Sequence, residues 1–489
     1  KTIGLTLAII VVIAVLNFMP IVQEVKADLP VHCLWNETRG VWNYQLGEPK
    51  YTKEQALKAC APNQNFTATS QVTYDLEYPN IVKDKSGNKA GTWTIIWDQS
   101  AEVNADGKRY HAFFYYTTEN GKAVSHCGQT FTGYYYTDKG PNTQSGYGCF
   151  RGEKPDAKKL RKAIDLEKFN TNIAAPVRMN SEDIVKSVNE DKTSTWTATV
   201  YPEFEGMTME ELQQKGYGGK RMRRWRRHAI DQAMKEFRRE NAKAMQAQKA
   251  KDTPVSWDWR DVNGKSYVSP VLNQGSCGSC YIFGTLGQAA CRLRTRTNNA
   301  DQTTFSQQDV LNCGDPVYAQ GCEGGMQYTI AKYGYELGFL PAKCLPYKAR
   351  GEQCPSYSNR WGCDQKPYYV KNFGYVGGYY GGTTEQKMRE SLVEKGALTV
   401  AFYVKSSFFH YRGGIYQDSN CGSTIEDPHI PFVDVNHSVL IVGYGEKDGV
   451  PYWIARNSWG ASWGVSGYFM IKRGSDECGI ESCVVEFEI

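Results

Sequence analysis

At 489 residues the chain is too long for one core, and at roughly 100–200 residues per domain it holds two to four units. A hydrophobic content of 41% with 13% aromatic residues excludes a disordered or collagen-like chain, and a mean hydropathy of −0.54 excludes a multi-span membrane protein. The net charge of +5, from 57 Lys and Arg against 52 Asp and Glu, is too small to imply a nucleic-acid partner. The 15 cysteines suit an oxidising compartment, and their odd number leaves at least one without an internal partner.

Lys1 is followed by an apolar run from about Ile3 to Met19 and then a short polar stretch ending Val25-Lys26-Ala27. A basic start, an apolar middle and small residues before the cut predict a secretory signal peptide over residues 1–27, removed before Asp28. A membrane anchor is the alternative, because the run nearly spans a bilayer. Sequons at Asn36 and Asn65 agree with secretion and are expected to be glycosylated. A third, at Asn436, is expected to stay unmodified because it lies in a buried-strand pattern.

Residues 28–152 read as antiparallel strands, most simply a barrel. The runs Val41–Tyr44, Gly91–Trp97 and His111–Tyr116 are aromatic and β-branched, and Ser86-Gly87-Asn88, Asp106-Gly107 and Asn120-Gly121 mark turns between them. Four cysteines here, Cys33, Cys60, Cys127 and Cys149, allow three connectivities. Residues 153–251 are charged and free of cysteine, with a dense basic run at Lys220–Arg227. In a secreted chain that run reads as a protease-sensitive linker rather than a nucleic-acid patch, and Ala229–Ala250 after it is helix-prone. From Asp252 the chain is compact again, rich in Gly and aromatic residues.

The chemistry concentrates at Gln274-Gly275-Ser276-Cys277-Gly278-Ser279-Cys280, ahead of a helix-prone run from Ile282 to Arg296. A Cys-x-x-Cys pair suits a metal or redox site, but no second ligand pair and no βαβ context accompany it. A nucleophile at a helix N-terminus is the third reading, because helix-end amides stabilise a thiolate. Gln274 can then offer a side-chain N–H to an oxyanion. Such a nucleophile needs an imidazole and a group to orient it. His437 sits in the strand-like Val435–Gly445, and Asn457-Ser458-Trp459-Gly460 follows twenty residues later, with Trp459 placed to shield a His–Asn hydrogen bond.

Gln274–Phe283, His437 and Asn457-Ser458-Trp459-Gly460 resemble the signature of the papain-type cysteine proteases. Ser256-Trp257-Asp258-Trp259-Arg260 resembles the start of such a catalytic domain. The separation of Cys280 and His437 slightly exceeds the roughly 130–150 residues usual there, and an insertion near Gln417–Phe432 would account for it. Tyr281 stands where Trp is commoner. A narrower resemblance, to the dipeptide-releasing members of the family, rests on Tyr281, Ala319–Gly325, Tyr375-Val376-Gly377-Gly378, Asp476–Ser482, Thr195–Thr199 and the start Asp28-Leu29-Pro30.

The resemblance implies an α+β protein. A papain-like two-lobed catalytic domain, one lobe helical and one a β-barrel, follows an exclusion domain (28–152) and a propeptide (153–251). Its heavy chain would span 252–426 and its light chain 427–489. Cys280, His437, Asn457 and Gln274 would be catalytic, and Gly324 and Gly325 would meet substrate backbone. Asp28 would bind the substrate's free amine, and Met326, Tyr328 and Tyr375 would surround a chloride ion, with no metal. Implied disulfides are Cys33–Cys127, Cys60–Cys149, Cys277–Cys322, Cys313–Cys354, Cys344–Cys363 and Cys421–Cys478, with Cys280 free and Cys291 and Cys483 unassigned. Expected partners are peptides and proteins with free N-termini, an activating protease and further copies of the chain, as a tetramer. No nucleic acid is expected, nor any membrane contact after leader removal, and the destination would be the lysosome through the secretory pathway. Two rivals remain within the family, an endopeptidase with an unrelated N-terminal domain and an inactive binding or inhibitory relative.

Overall fold

A computed structural model describes residues 33, 35–119, 122–165, 181–208, 211–212, 252–314, 317–356, 360–418, 421 and 435–489. The leader, Asp28, the basic run at Lys220–Arg227 with the helix-prone stretch after it, and the junction at Asp427 lie outside them.

The N-terminal unit is a closed barrel. Its strands are β1 (Gly40–Gly47), β2 (Ala68–Glu77), β3 (Ile81–Lys83), β4 (Lys89–Ile96), β5 (Ser100–Ala105), β6 (Lys108–Glu119), β7 (Lys122–Thr130), β8 (Gly133–Thr137), β9 (Ser145–Glu153) and β10 (Arg161–Asp165). Tyr44 of β1 faces Val72 of β2 on one side and Gly152 of β9 on the other, which closes the ring β1-β2-β3-β4-β5-β6-β8-β9. The period-two alternation puts Trp42, Tyr44 and Leu46 inside. Tyr74, Tyr110 and Phe150 pack against Tyr44 with ring centroids 5.2–6.0 Å apart. Asp106 and Gly107, both at positive φ, make the tight β5–β6 turn. Two expectations shift. The strand read over Gly91–Trp97 ends at Ile96, and Trp97 turns away at φ +57. The β unit also runs past residue 152, because β10 pairs with β7 from Arg161 to Asp165.

The C-terminal unit has two lobes. In the helical lobe, α3 (Cys280–Arg296) is buried on every side from Cys280 to Arg294, as a helix at the centre of a core must be. Beside it lie α4 (Gln307–Cys313) and α5 (Gln327–Glu336). These labels leave α1 for Lys53–Ala59 in the barrel and α2 for Ser181–Glu190. The other lobe is a sheet of β11 (Trp196–Ala198), β12 (Trp257–Asp258), β13 (Asn372–Tyr375), β14 (Leu398–Phe402), β15 (Tyr411–Tyr416), β16 (His437–Lys447), β17 (Val450–Arg456), β18 (Tyr468–Lys472) and β19 (Cys483–Glu488) in the order β11-β15-β18-β17-β16-β14-β19-β13, with β12 paired to β16 and α6 (Glu385–Lys395) beside it. Helix α3 seats on β14 and β16 through Gly284, where a Cβ would come within 2.7 Å of Thr399 Oγ1 and 2.9 Å of Ser438 Oγ. That close approach sets Cys280 against His437.

The segment 181–208 docks on the sheet lobe. Its strand at Trp196–Ala198 pairs with β15, and Phe204 meets the Trp459 ring edge-on at 5.9 Å. The barrel docks on the helical lobe through buried charge. Lys332 of α5 reaches Glu102 of β5 at 2.7 Å and Glu336 of its own helix at 2.9 Å, with all three side chains no more than 3% exposed. Arg109 joins Glu102 at 2.6 Å and Asp138 at 3.0 Å. Tyr328 donates to Glu102 at 3.0 Å, and Tyr136 to Glu336 at 2.9 Å.

Two carboxyl groups titrate in opposite senses. Burial pushes Glu102 up, but Lys332 and Arg109 outweigh it and hold the group at about 2. Its folded value is depressed, so its contribution is complete above about 4.5 and is lost only as pH falls towards 2. Asp476 is raised to about 7, first by burial and then by Glu481 and Glu477. Its folded value is raised, so its contribution is present below its ordinary value of 3.8 and is lost as pH rises through about 7. Stability should therefore persist into acid and fall between about pH 4 and 7, and Asp476→Asn should flatten that fall in urea titrations. Lys332→Met strips buried Glu336 of its salt-bridge partner, leaves Glu102 with Arg109 alone, and should lower unfolding free energy by about 3–5 kcal/mol. A loss below about 1 kcal/mol would show that the pair does not hold the barrel in place.

Candidate active site

Cys280 is the first residue of α3, 5% exposed, with the N-terminal amides of that helix behind it. His437 opens β16 and donates from Nε2 to Asn457 Oδ1 at 2.8 Å. Because the amide oxygen can only accept, that bond fixes the neutral tautomer and leaves Nδ1 a lone pair. Nδ1 is buried and has no hydrogen-bond partner among the described residues. The Trp459 ring lies 5.0 Å from the imidazole and keeps water from the His–Asn bond. Burial pushes the Cys280 thiol up to about 11, against the pull of the Ser438, Tyr281 and Cys280 backbone N–H groups. Burial also pulls His437 down to about 4, against its bond to Asn457.

Gln274 is fully buried beside the nucleophile. Its Nε2 donates to the Cys277 carbonyl at 3.0 Å, its Oε1 accepts from Ser458 Oγ at 2.5 Å, and its backbone N–H donates to the Ser458 carbonyl at 2.9 Å. Ser458 thus fixes the rotation of the amide from the residue next to Asn457, a role the sequence reading missed. Tyr347 closes the other side by donating to the Gln274 carbonyl at 2.8 Å.

A cavity of ≈ 90 Å³ opens beside Cys280. Gly324, at φ +130, and Gly325 form its floor, and the Tyr281 ring lies where a Cβ on Gly325 would be. Met326 lines the cavity, as does Trp97 from the barrel, which the sequence reading placed in a strand. Tyr328 and Tyr375 stack at 4.9 Å behind it. At the positions expected to surround a chloride ion, Tyr328 commits its hydroxyl proton to Glu102, Met326 offers backbone but no side-chain donor, and Tyr375 carries a hydroxyl.

Asn65 is exposed, whereas Asn36 falls in a helical turn at Trp35–Thr38 with its side chain outside the described residues. Asn436 is 5% exposed and bonds the Val404 backbone at both its N–H and its carbonyl, which leaves no room for a glycan. Six disulfides join Cys33 to Cys127, Cys60 to Cys149, Cys277 to Cys322, Cys313 to Cys354, Cys344 to Cys363 and Cys421 to Cys478. These are the pairs the resemblance implies. Cys280, Cys291 and Cys483 are free and buried. No helix among the described residues is long and apolar enough to cross a membrane.

A thiol on a helix end, an imidazole oriented by an amide and a glutamine donor define a thiol protease site. Residues 253–487 match the family model described as papain family cysteine protease, and residues 28–154 match that of the cathepsin C exclusion domain. The chain belongs to the papain family of cysteine proteases, in the group that carries a cathepsin C exclusion domain. It is 31% identical to cathepsin C of Schistosoma mansoni over 98% of each chain. Pro-cathepsin H of Bos taurus is 34% identical over 47% of this chain and 63% of that one. Procathepsin L 3 of Tenebrio molitor larval midgut superposes with a TM-score of 0.47 at 25% identity, over 63% of this chain and 90% of that one.

Cys280→Ser should abolish turnover with the fold intact, and His437→Ala should cost nearly as much, since the pair acts as a unit. Ser458→Ala removes one neutral hydrogen bond from Gln274, about 0.5–1.5 kcal/mol, and should lower kcat about two- to tenfold with KM little changed. Steady-state kinetics on one fluorogenic peptide measures all three, and unchanged kcat in Ser458→Ala would show that Gln274 needs no brace.

Proposed function

We propose that this protease is an exopeptidase that releases dipeptides from the free N-termini of peptides and proteins. The observation that carries the proposal is the barrel's presence at the end of the cleft. Trp97 stands in the cavity beside Cys280, and one residue along, the Asp98 carbonyl accepts from the Cys33 N–H at 2.8 Å. A protease cleft that is blocked at one end suits a substrate that stops there. Asp28 precedes Cys33 by five residues, which reach at most ~17 Å. Its carboxylate is therefore within chain reach of the cavity, where it would take the substrate ammonium in a charge-assisted hydrogen bond and reject a continuing chain.

In this reading Cys280 passes its proton to His437 Nδ1 and attacks the carbonyl of the second residue. The two charges form together, each the other's counter-ion, at about 4 kcal/mol for about 4 Å and an effective dielectric of about 20. Gln274 Nε2 and the Cys280 N–H donate to the oxyanion. His437 then protonates the leaving amine, and water, deprotonated by His437, releases the dipeptide from the thioester. Six disulfides and the expected leader support passage through the secretory pathway to a lysosome-type compartment. Activation by a protease that cuts on both sides of residues 153–251 and near Asp427, and assembly as a tetramer, belong to the same reading.

A charge-assisted bond of roughly 1.5–3 kcal/mol means that Asp28→Asn should slow dipeptide release about ten- to a hundredfold. The measurement compares one short peptide with free and acetylated N-termini. Equal cleavage of both by the unmodified enzyme would make the chain an endopeptidase.

A further inference from the structure

Trp97 is held at φ +57, a conformation that is costly for a bulky residue and that glycine adopts without strain. The next turn of the barrel, β5–β6, does use glycine, at Gly107. A strained bulky residue that persists in a turn is a pointer to function. The strain is held from the catalytic unit. The Trp97 backbone N–H faces the Tyr375 hydroxyl, and the indole meets the Tyr380 ring edge-on at 6.0 Å. The Tyr380 N–H in turn donates to Thr94 Oγ1 of β4 at 3.1 Å. The indole is 6% exposed and has no room to swing aside.

The cavity it closes is flanked by Met326 on one lobe and by Ala401 and Val435 on the other. On the dipeptide reading, substrate backbone that passes Gly324–Gly325 away from Cys280 ends at the barrel, and the cavity would receive the side chain of the substrate's N-terminal residue. Its ≈ 90 Å³ is roughly six times the space one water needs, enough for about four to six heavy atoms. Its walls are mostly apolar, with Glu323 among the lining residues, and the Gln327 Nε2 to Ser438 Oγ pair, at 2.9 Å, supplies a polar contact.

We infer that Trp97 is a specificity-determining residue, the wall that limits the N-terminal substrate residue to a side chain of medium size. The size limit is then written in the barrel rather than in the protease lobes. The inference rests on the dipeptide reading of the site. The test uses fluorogenic dipeptides X-Gly with X as Leu, Met, Phe or Trp, each with a free and an acetylated N-terminus. The readout is the ratio of kcat/KM for X as Trp to that for X as Leu, which does not depend on the fraction of enzyme folded. Trp97→Ala should raise that ratio about tenfold. If that variant yields no active enzyme, Trp97→Phe, which keeps an aromatic edge for Tyr380, should raise it threefold or more. A change below threefold in the active variant overturns the inference. Equal cleavage of free and acetylated peptides would instead overturn the dipeptide reading, while the Trp-to-Leu ratio would still report on the wall.

Discussion

Lys332 sits between two carboxylates, Glu102 of the barrel and Glu336 of its own helix, and none of the three is exposed beyond 3%. Buried charges of this kind tolerate no misfit, because a cation left without its partner in a dry interface is worth several kcal/mol of destabilisation. The pair therefore fixes the register between β5 and α5, and the closed end of the cleft depends on that register. Trp97 lies five residues before Glu102 on the same hairpin, and Met326 lies six before Lys332. Holding the ion pair together holds Trp97 and Met326 across one cavity.

The protease half of the site was legible because its chemistry dictates residue types at close range. A thiol on a helix end needs amides, an imidazole and an orienting group, and only one histidine of seven stands in a strand followed by Asn-Ser-Trp-Gly. The structure brings His437 and Asn457 to 2.8 Å and places Cys280 and His437 in one cavity. Ser458 was named only as part of that motif, because a hydroxyl that braces Gln274 from 184 residues away leaves no local pattern. The chloride positions were carried over by resemblance alone, and of their side chains Tyr328 is committed to Glu102.

The barrel was legible as a class but not in its edges. Alternating aromatic strands and Asp106-Gly107 announced antiparallel pairing, and β1 closes the ring on β9. Trp97 looked like the end of a strand, since the run from Gly91 is β-branched and aromatic throughout. It leaves the strand because contacts with Tyr375 and Tyr380 in the other unit outweigh its local preference. Strand β10 left no signal for a similar reason, since it lies beyond the last cysteine of the barrel and is held by β7 alone. Cys291 and Cys483 could have paired by count, yet each is enclosed separately as a buried thiol.

The central claim is that barrel and protease lobes together admit two residues and no more. A mass-spectrometric time course on an unmodified ten-residue peptide tests it most directly. The account predicts that every product is shorter from the N-terminus by two, four or six residues, with free dipeptides appearing in sequence order. Internal cuts, or steps of one residue, would contradict it.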